Sequence, residues 1–312
     1  MSLYSCQAPA AVVMIRPRRF YPNPETAIDN IFQRTTNLHD PAEMAAIADA
    51  AYNEVTQAAD ALERAGVRTH MFDDDGERGT PDSVFPGNWF STHKGGRIVL
   101  YPMKSMNRRR ERRPDVVEML KSEYRVREIF DYTGFEYDRV YLEGTGAIVL
   151  DHVARIAYTA RSRRADPIAL QRFCAHFNFE PVTFSTLHRS GCPIYHTNVM
   201  MSIATEFSLV CLELIEGDRT RRKLGERMEE GGREVVTLDA DQIAQFAGAA
   251  LELTGSDGLV LAMSERGVAC LTAQQRSVIE RSARILALRV PTIEMAGGSV
   301  SCMLGGIHLT RR

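Results

Sequence analysis

Amphipathic helical stretches alternate with short apolar runs along most of the chain. The clearest helix signal is Asp40-Pro41, an N-cap followed by a first-turn proline, which opens an alanine-rich stretch ending near Gly66. The same signals predict three further helices, which run from Asp166-Pro167 to about Phe177, from Asp239 to about Glu252, and from the capping box of Thr272 and Gln275 to about Ala287.

Apolar runs broken by one or two polar residues predict β-hairpins between these helices. They are residues 97–103, 147–150 with 155–158, 199–203 with 208–214, and 259–263 with 268–271. Residues 67–72 are expected to form a further short strand. The acidic, glycine-containing segment 73–82 then reads as an exposed loop.

A polar or glycine position precedes each predicted hairpin, and these positions recur roughly every 50 residues. They are Asn88, Gly146, Asn198, a position near Asp257, and finally Cys302. This loose period predicts five strand–strand–helix units in a ring, in which the strand at residues 10–15 completes the last unit. An ordinary α+β domain whose elements happen to alternate is the alternative.

The composition limits the partners that the chain can have. Of 312 residues, 44% are hydrophobic and 25% are charged, and the formal net charge is −2, which is typical of a soluble globular protein. The near-neutral balance argues against nucleic acid and against an anionic membrane surface. The apolar run at residues 10–15 is too short for a signal peptide or a membrane span, so we expect a cytosolic protein. Homo-oligomers are compatible with this composition.

The six cysteines form no C-x-x-C pair, in a chain that is long enough to fold without disulfides. We therefore expect reduced thiols, five of them buried structural residues. Cys302 is the exception, because it lies in a glycine-rich stretch, residues 297–306, where backbone can approach a ligand closely.

An activated cysteine needs a neighbouring base and a group that orients that base. His196 stands at the head of an apolar hairpin, the place in its unit that Cys302 takes in its own, and Glu143 occupies that place in a third unit. Each residue alone is explained equally well as a buried histidine, a turn glutamate or a core cysteine. Their shared placement favours a catalytic group.

Four segments of the chain resemble the motifs of a known protein family. They are residues 81–93, 142–146, 196–198 and 297–306. In this order they resemble the motifs of the amidinotransferase and arginine-deiminase superfamily, and most of all its citrulline-utilisation hydrolase branch. The resemblance covers nearly the whole chain. It implies a single catalytic domain over residues 1–312 with the pentein fold, a five-bladed α/β propeller of ββαβ units around a central channel that holds the active site.

The resemblance also implies roles for individual residues. Cys302 would be the nucleophile, His196 the general acid and base, and Glu143 the carboxylate that holds and polarises the site. No cofactor and no metal would be needed.

Two further residues would bind the amino-acid end of a small-molecule substrate. Asp82 matches the aspartate of the motif P-D-x-V-F. Arg164 matches an arginine that grips the substrate's α-carboxylate, for which bidentate geometry is suited. A second gripping arginine is expected at Arg113 or at Arg112.

The chain departs from the family pattern at three positions. Guanidine-modifying relatives carry aspartates where this chain has Asn88, Gly146 and Asn198. A partly desolvated guanidinium needs carboxylate partners, which these residues cannot supply. Amides can donate to and accept from a neutral ureido group, so we expect citrulline rather than arginine as the substrate.

The expected reaction begins with attack of the Cys302 thiolate on the ureido carbon. Backbone N–H groups near residues 297–303, or asparagine side chains, would stabilise the oxyanion, and His196 would protonate the departing nitrogen. Water would then release carbamate, which decomposes to carbon dioxide and ammonia. Ornithine is the other product.

Several alternatives remain at this stage. The site could belong to a guanidine-modifying enzyme, such as an arginine deiminase, a dimethylarginine hydrolase or an amidinotransferase, or to a non-catalytic binding protein of the same fold. Six basic residues in segment 104–113 suggest nucleic-acid binding, but no interleaved aromatic residues support it. His188, Cys192 and His196 have metal-ligand spacing, but Gly191 and Pro193 disrupt the helix that this requires.

Overall fold

In the computed structural model, which describes residues 6–34 and 40–312, the strands form five three-stranded sheets. The sheets repeat one pattern. A first strand pairs antiparallel with a central strand, which pairs parallel with a third strand that follows a helix. The first strands of three neighbouring pairs of sheets contact one another, and residues of all five first strands line one central cavity. The first strands therefore form the inner wall of the ring.

The strands of each sheet are given in the order first, central, third. They are β15 (Gly305–Gly306), β1 (Ala11–Pro17) and β2 (Arg68–Asp74); β3 (Phe90–His93), β4 (Arg97–Leu100) and β5 (Glu128–Asp131); β6 (Val149–Asp151), β7 (Ile156–Ala160) and β8 (Glu180–Phe184); β9 (Met201–Ile203), β10 (Phe207–Val210) and β11 (Glu234–Thr237); β12 (Leu251–Gly255), β13 (Gly258–Ser264) and β14 (Ala283–Leu288).

Long helices cover the outside of the ring, and short ones form turns. The helices are α1 (Pro41–Arg64), α2 (Pro114–Glu123), α3 (Gly144–Ala147), α4 (Pro167–Phe177), α5 (Asp218–Glu230), α6 (Ala240–Ala244), α7 (Glu265–Ala269), α8 (Ala273–Glu280) and α9 (Val300–Met303). Helix α1 buries a stripe that includes Ile47, Val55 and Leu62 against the first sheet and its neighbour. No described helix combines the length and hydrophobicity of a transmembrane span.

The two ends of the chain meet in one sheet. Val12 and Val13 of β1 pair with Gly306 and Gly305 of β15, while β1 also runs parallel to β2. The prediction that the strand near residues 10–15 completes the last unit is confirmed. The five units therefore close into a ring.

Helix starts were predicted better than helix ends. Asp40 and Asp166 cap α1 and α4, and Thr272 forms the predicted capping box with Gln275 at α8. However, α8 ends at Glu280, and the rest of the helix predicted there runs into strand β14. The helix expected from Asp239 is only the short α6, and the end of that prediction lies in strand β12. Short apolar runs fit helix and strand alike, and here pairing with β13 decides for strand.

Three other expectations are corrected. The fourth hairpin is β12 with β13, and residues 265–269 form α7, which Ser264 caps. The segment 73–82 is not uniformly exposed, because Asp74 and Asp82 are buried and Asp74 accepts a hydrogen bond from Thr80. All six cysteines are free as expected, but Cys6 and Cys192 are exposed rather than buried.

The cap of α4 offers a test of this local reading. We expect Asp166→Ala to lower the free energy of unfolding by about 1 kcal/mol, because the N–H of Ile168 loses its 2.8 Å bond to the carboxylate. Urea denaturation monitored by circular dichroism measures the change. Asp166→Ser should retain most of the stability, and equal losses for both variants would contradict the capping role.

Candidate active site

Four turns bring the predicted residues to one end of the ring. Each turn leads into the first strand of a sheet: Pro86–Asn88 into β3, α3 into β6, Thr197–Val199 into β9, and α9 into β15. The turn at α3 contacts both Pro86–Asn88 and Thr197–Val199, and α9 contacts Pro86–Asn88. The structural repeat thus converts positions distant in sequence into one cluster.

A small pocket lies in this cluster. Its wall includes Cys302, His196, Asn88, Asp82, Arg164 and Arg108. The pocket has a volume of about 10 Å³, which is room for roughly one water molecule. Every one of these six residues is almost fully buried.

Glu143 lies behind His196 and orients it. The His196 Nε2 atom is 2.8 Å from a Glu143 carboxylate oxygen. An ionised carboxylate only accepts hydrogen bonds, so Nε2 carries the proton and Nδ1 keeps a free lone pair. Burial lowers the pKa of His196 to about 4, even though Glu143 acts in the opposite direction. The imidazole is therefore a neutral base at physiological pH.

The charge of Glu143 is stabilised from several sides. Burial alone would raise its pKa, but Arg164 at 3.4 Å, the hydrogen bond with His196 and Arg108 at 3.7 Å outweigh it. The pKa of Glu143 therefore lies well below its ordinary value. The backbone N–H of Lys104 also donates to this carboxylate, at 3.0 Å.

Cys302 and Asn198 are in contact. The amide Nδ2 of Asn198 lies 3.2 Å from the Cys302 sulfur. Burial raises the pKa of the Cys302 thiol above its ordinary value, although hydrogen bonds from Ser299 and Asn198 oppose this. The resting side chain is thus a thiol that must lose its proton to react.

The amide orientation of Asn88 is fixed by Arg108. A guanidinium can only donate, and its Nη1 lies 3.1 Å from Oδ1 of Asn88. The carbonyl of Asn88 therefore faces Arg108, and its Nδ2 group faces the other way. That buried Nδ2 has no hydrogen-bond partner among the described residues.

Gly146 adjoins the atoms that the pocket needs. A Cβ atom at this position would lie 2.5 Å from Nδ2 of Asn88 and 2.7 Å from Nδ1 of His196. The free donor and the free base thus face the same small space. An aspartate at position 146, as in the family pattern, cannot be added without displacing both.

Arg108 is the residue that sequence reasoning missed. Its guanidinium forms a bidentate pair with Glu111 at 2.9 and 3.0 Å and lies 3.6 Å from Asp82. The only available signal was the basic segment 104–113. Which arginine of that segment is buried in the pocket, and which ones pair with carboxylates elsewhere, is visible only in three dimensions.

The structure does not bring Arg113 or Arg112 into the pocket. Arg113 pairs with Asp115 at 2.6 Å and reaches the backbone of Asp73, and Arg112 pairs with Glu136 at 2.6 Å. Their side chains point to other partners because short-range carboxylates hold them there. Arg108 takes the place in the pocket that was expected of Arg113.

Arg164 is in the pocket, but its guanidinium is engaged. It forms an ion pair with Asp29, lies 3.4 Å from Glu143, and stacks on Tyr195 at 4.7 Å. Lys104 also pairs with Asp29, at 2.6 Å. The N-terminal segment that carries Asp29, another contribution that the sequence did not reveal, therefore borders the site.

Asp82 has one satisfied and one free carboxylate oxygen. Its Oδ2 accepts from Asn23 at 2.8 Å, whereas the buried Oδ1 has no partner in the described part of the chain. Burial raises the pKa of Asp82, and Arg108 opposes this. Within residues 6–34 and 40–312, no group of three His, Cys, Asp or Glu side chains is arranged to hold a metal ion.

Residues 16–309 match the sequence model of a protein family, the eukaryotic N,N-dimethylarginine dimethylhydrolases. The chain belongs to this family. It is thereby a member of the pentein amidinotransferase superfamily, as the resemblance implied. A comparison with curated proteins found no match.

Solved structures share the pentein fold. The N-terminal domain of ArgZ, solved with a covalently bound reaction intermediate, is 13% identical in sequence to this chain and superposes with a TM-score of 0.71. The alignment covers 96% of this chain and 97% of the ArgZ domain. Related structures describe ArgZ as an arginine dihydrolase of the ornithine-ammonia cycle in cyanobacteria.

Two further structures are similar. Unliganded AgrE is 15% identical in sequence, with a TM-score of 0.73. The alignment covers 97% of this chain and 40% of the AgrE chain. A dimethylarginine dimethylaminohydrolase variant, as an adduct with S-methyl-L-thiocitrulline, is 13% identical with a TM-score of 0.62, covering 97% of this chain and 99% of that one. At these identities the likeness shows the fold alone.

The space beside Gly146 can be tested by substitution. We expect Gly146→Asp to lower kcat/KM at least about 100-fold, because its side chain must displace Asn88 and His196. Steady-state kinetics and a thermal melt measure activity and stability. The control is Gly134→Ala, where a Cβ meets nothing within 4 Å, so both quantities should stay unchanged. A fully active Gly146→Asp enzyme would contradict the geometry.

The protonation of Cys302 gives a second prediction. We expect the thiolate absorbance at 240 nm, taken as the difference between wild type and Cys302→Ser across a pH titration, to appear with a midpoint above pH 9. Burial of the sulfur raises its pKa, so the charged form gains only at higher pH. The other five cysteines cancel in the difference. A midpoint below pH 8 would refute the thiol resting state.

Proposed function

We propose that this protein is a cysteine-dependent hydrolase of the ureido group of citrulline, producing ornithine, carbon dioxide and ammonia. Its family supports hydrolysis at a carbon that bears several nitrogens. The choice of a ureido group rests on the residues of the pocket. No cofactor takes part in the proposed reaction.

The amide of Asn88 carries this proposal. Its unpartnered N–H group faces the space beside the His196 base, and Arg108 prevents the amide from turning its oxygen there. A ureido oxygen can accept from this N–H. A guanidinium has only N–H donors and would face another donor.

The charges around the pocket favour a neutral head group as well. Arg108 and Arg164, both nearly fully buried, line the pocket, and each is already paired, Arg108 with Glu111 and Arg164 with Asp29 and Glu143. Among the described residues of the pocket wall, a guanidinium head would therefore find one further carboxylate, that of Asp82, to offset the cost of burying its charge. A ureido group brings no charge.

The first half of the reaction uses the pair of His196 and Glu143. The Cys302 thiol gives its proton to Nδ1 of His196, and the imidazolium is stabilised by ionised Glu143. The sulfur attacks the ureido carbon, and Asn88 donates to the developing oxyanion. The C–N bond to ornithine breaks as His196 returns the proton to the departing nitrogen, which leaves an S-carbamoyl enzyme.

Asn88 is the better oxyanion donor than the backbone of α9. The N–H groups of Ser301, Cys302 and Met303 already donate to backbone carbonyls, at 3.2, 3.0 and 3.3 Å.

In the second half of the reaction, water loses a proton to His196 and attacks the carbamoyl carbon. The C–S bond breaks with its electron pair on sulfur, and carbamic acid decomposes to carbon dioxide and ammonia.

A second candidate is hydrolysis of arginine or a methylated arginine, which the family supports equally. The free Oδ1 of Asp82 favours it, because this oxygen could accept from a guanidinium. ArgZ is described as an arginine dihydrolase.

Product analysis separates these functions. We expect purified protein to release ornithine and ammonia from citrulline, with kcat/KM at least about 10-fold above that for arginine or dimethylarginine. Ornithine, citrulline and ammonia are all measured, and Cys302→Ser should be inactive while still binding substrate in calorimetry. Faster release of citrulline from arginine than of ornithine from citrulline would overturn the ureido assignment.

Asn88 offers a residue-level test of the same proposal. We expect Asn88→Ala to lower kcat for citrulline by about 10²–10³, as loss of an oxyanion donor does, with little change in KM. Arg113→Ala is the matched control, because Arg113 lies outside the pocket, and its kcat/KM should stay within about twofold. Equal losses in the two variants would contradict both assignments.

A further inference from the structure

A second cavity lies on the axis of the ring behind the catalytic turns. It has a volume of about 90 Å³, room for several water molecules. At one end its wall includes Gly87, Thr145, Asn198 and Ser301. We call this cavity the axial chamber.

The catalytic turns separate the axial chamber from the substrate pocket. Neighbouring residues of one turn face different cavities: Asn88 and Cys302 line the pocket, whereas Gly87 and Ser301 line the chamber. Asn198 lines the chamber while its amide lies 3.2 Å from the Cys302 sulfur. Asn198 therefore connects the wall of the chamber directly to the nucleophile.

The other end of the chamber leads toward solvent. The first strands run from the catalytic turns to this end, where His152 and His308 line both the chamber and a wide cavity of about 1280 Å³. Exposed residues, among them Lys94 and Thr310, line the wide cavity. It therefore opens on the face of the ring opposite the substrate pocket.

The chamber has polar groups suited to water. Ser301, which is more than nine-tenths buried, lines the chamber, and a hydrogen bond from its hydroxyl opposes the rise that burial causes in the pKa of the adjacent Cys302 thiol. Thr92 and Ser202 also line the chamber. Buried polar cavities of this size hold ordered water, which satisfies such groups.

We propose that the axial chamber stores and delivers the water that hydrolyses the covalent intermediate. This rests on the proposed reaction at Cys302. The substrate pocket has room for about one water molecule when empty, and ornithine fills its opening while the carbamoyl group forms. Water from the chamber reaches the carbamoyl carbon past Asn198, without waiting for ornithine to leave.

The reaction then has two access routes. The amino acid enters and leaves by the pocket that Asp82 and Arg164 line, and water enters from the opposite face. Water gives its proton to His196, its oxygen bonds to the carbamoyl carbon, and the C–S electron pair returns to Cys302.

Plugging the chamber tests the proposal. His308→Trp places a larger ring at the mouth, where His308 is only partly buried, and Ser202→Phe fills the chamber along β9. Thr310→Trp is the matched control, because Thr310 lines the wide cavity but not the chamber. Citrulline turnover is measured beside mass spectrometry of acid-quenched enzyme, which detects the carbamoyl adduct.

We expect both plugged variants to lose at least about 10-fold in kcat and to accumulate the adduct, because only the second half-reaction is slowed. Thr310→Trp should match wild type. Unchanged kcat in the folded variants, or a loss of kcat without accumulation of the adduct, would overturn the chamber's role. A wild-type protein inactive on every ureido and guanidino substrate would instead refute the proposed function.

Discussion

The arrangement of the pocket depends on one buried cation, Arg108. Its paired contacts with Glu111 offset part of the cost of burying both charges, and its remaining N–H group holds the carbonyl of Asn88. Because a guanidinium cannot accept a hydrogen bond, this single contact decides which atom Asn88 shows to a ligand. The same cation helps to keep Glu143 ionised, so the base and the donor have a common origin.

The ring of five units explains how so few residues produce this site. Four of the five units contribute a turn at the same end of the ring, so residues far apart in sequence become neighbours without any long loop. The opposite ends of the same strands form a second, chemically different face, where His93, His152 and His308 gather. One repeat thus gives the axis two distinct ends.

Local signals predicted the helix caps and the repeat, and the resemblance to a known family supplied the pentein fold. Caps such as Asp166 are read from neighbouring residues, and equivalent unit positions singled out Cys302, His196 and Glu143, whose catalytic roles remain predictions. The rest depends on contacts across the ring. No sequence pattern distinguishes Arg108 from the neighbouring arginines, and none predicts that Asp29 forms an ion pair with Arg164. Strands β12 and β14 were missed for the same reason, since their pairing partner lies elsewhere.

The pairing of β1 with β15 has a consequence for when the site becomes reactive. Val12 pairs with Gly306, so the turn that carries Cys302 is anchored to a strand that lies far from it in sequence. Contacts between such distant segments form slowly during folding, because closing the long loop between them costs entropy. A partly folded chain without this pairing has the base and the binding residues but no nucleophile in place, so reactivity begins only when the two strands have joined.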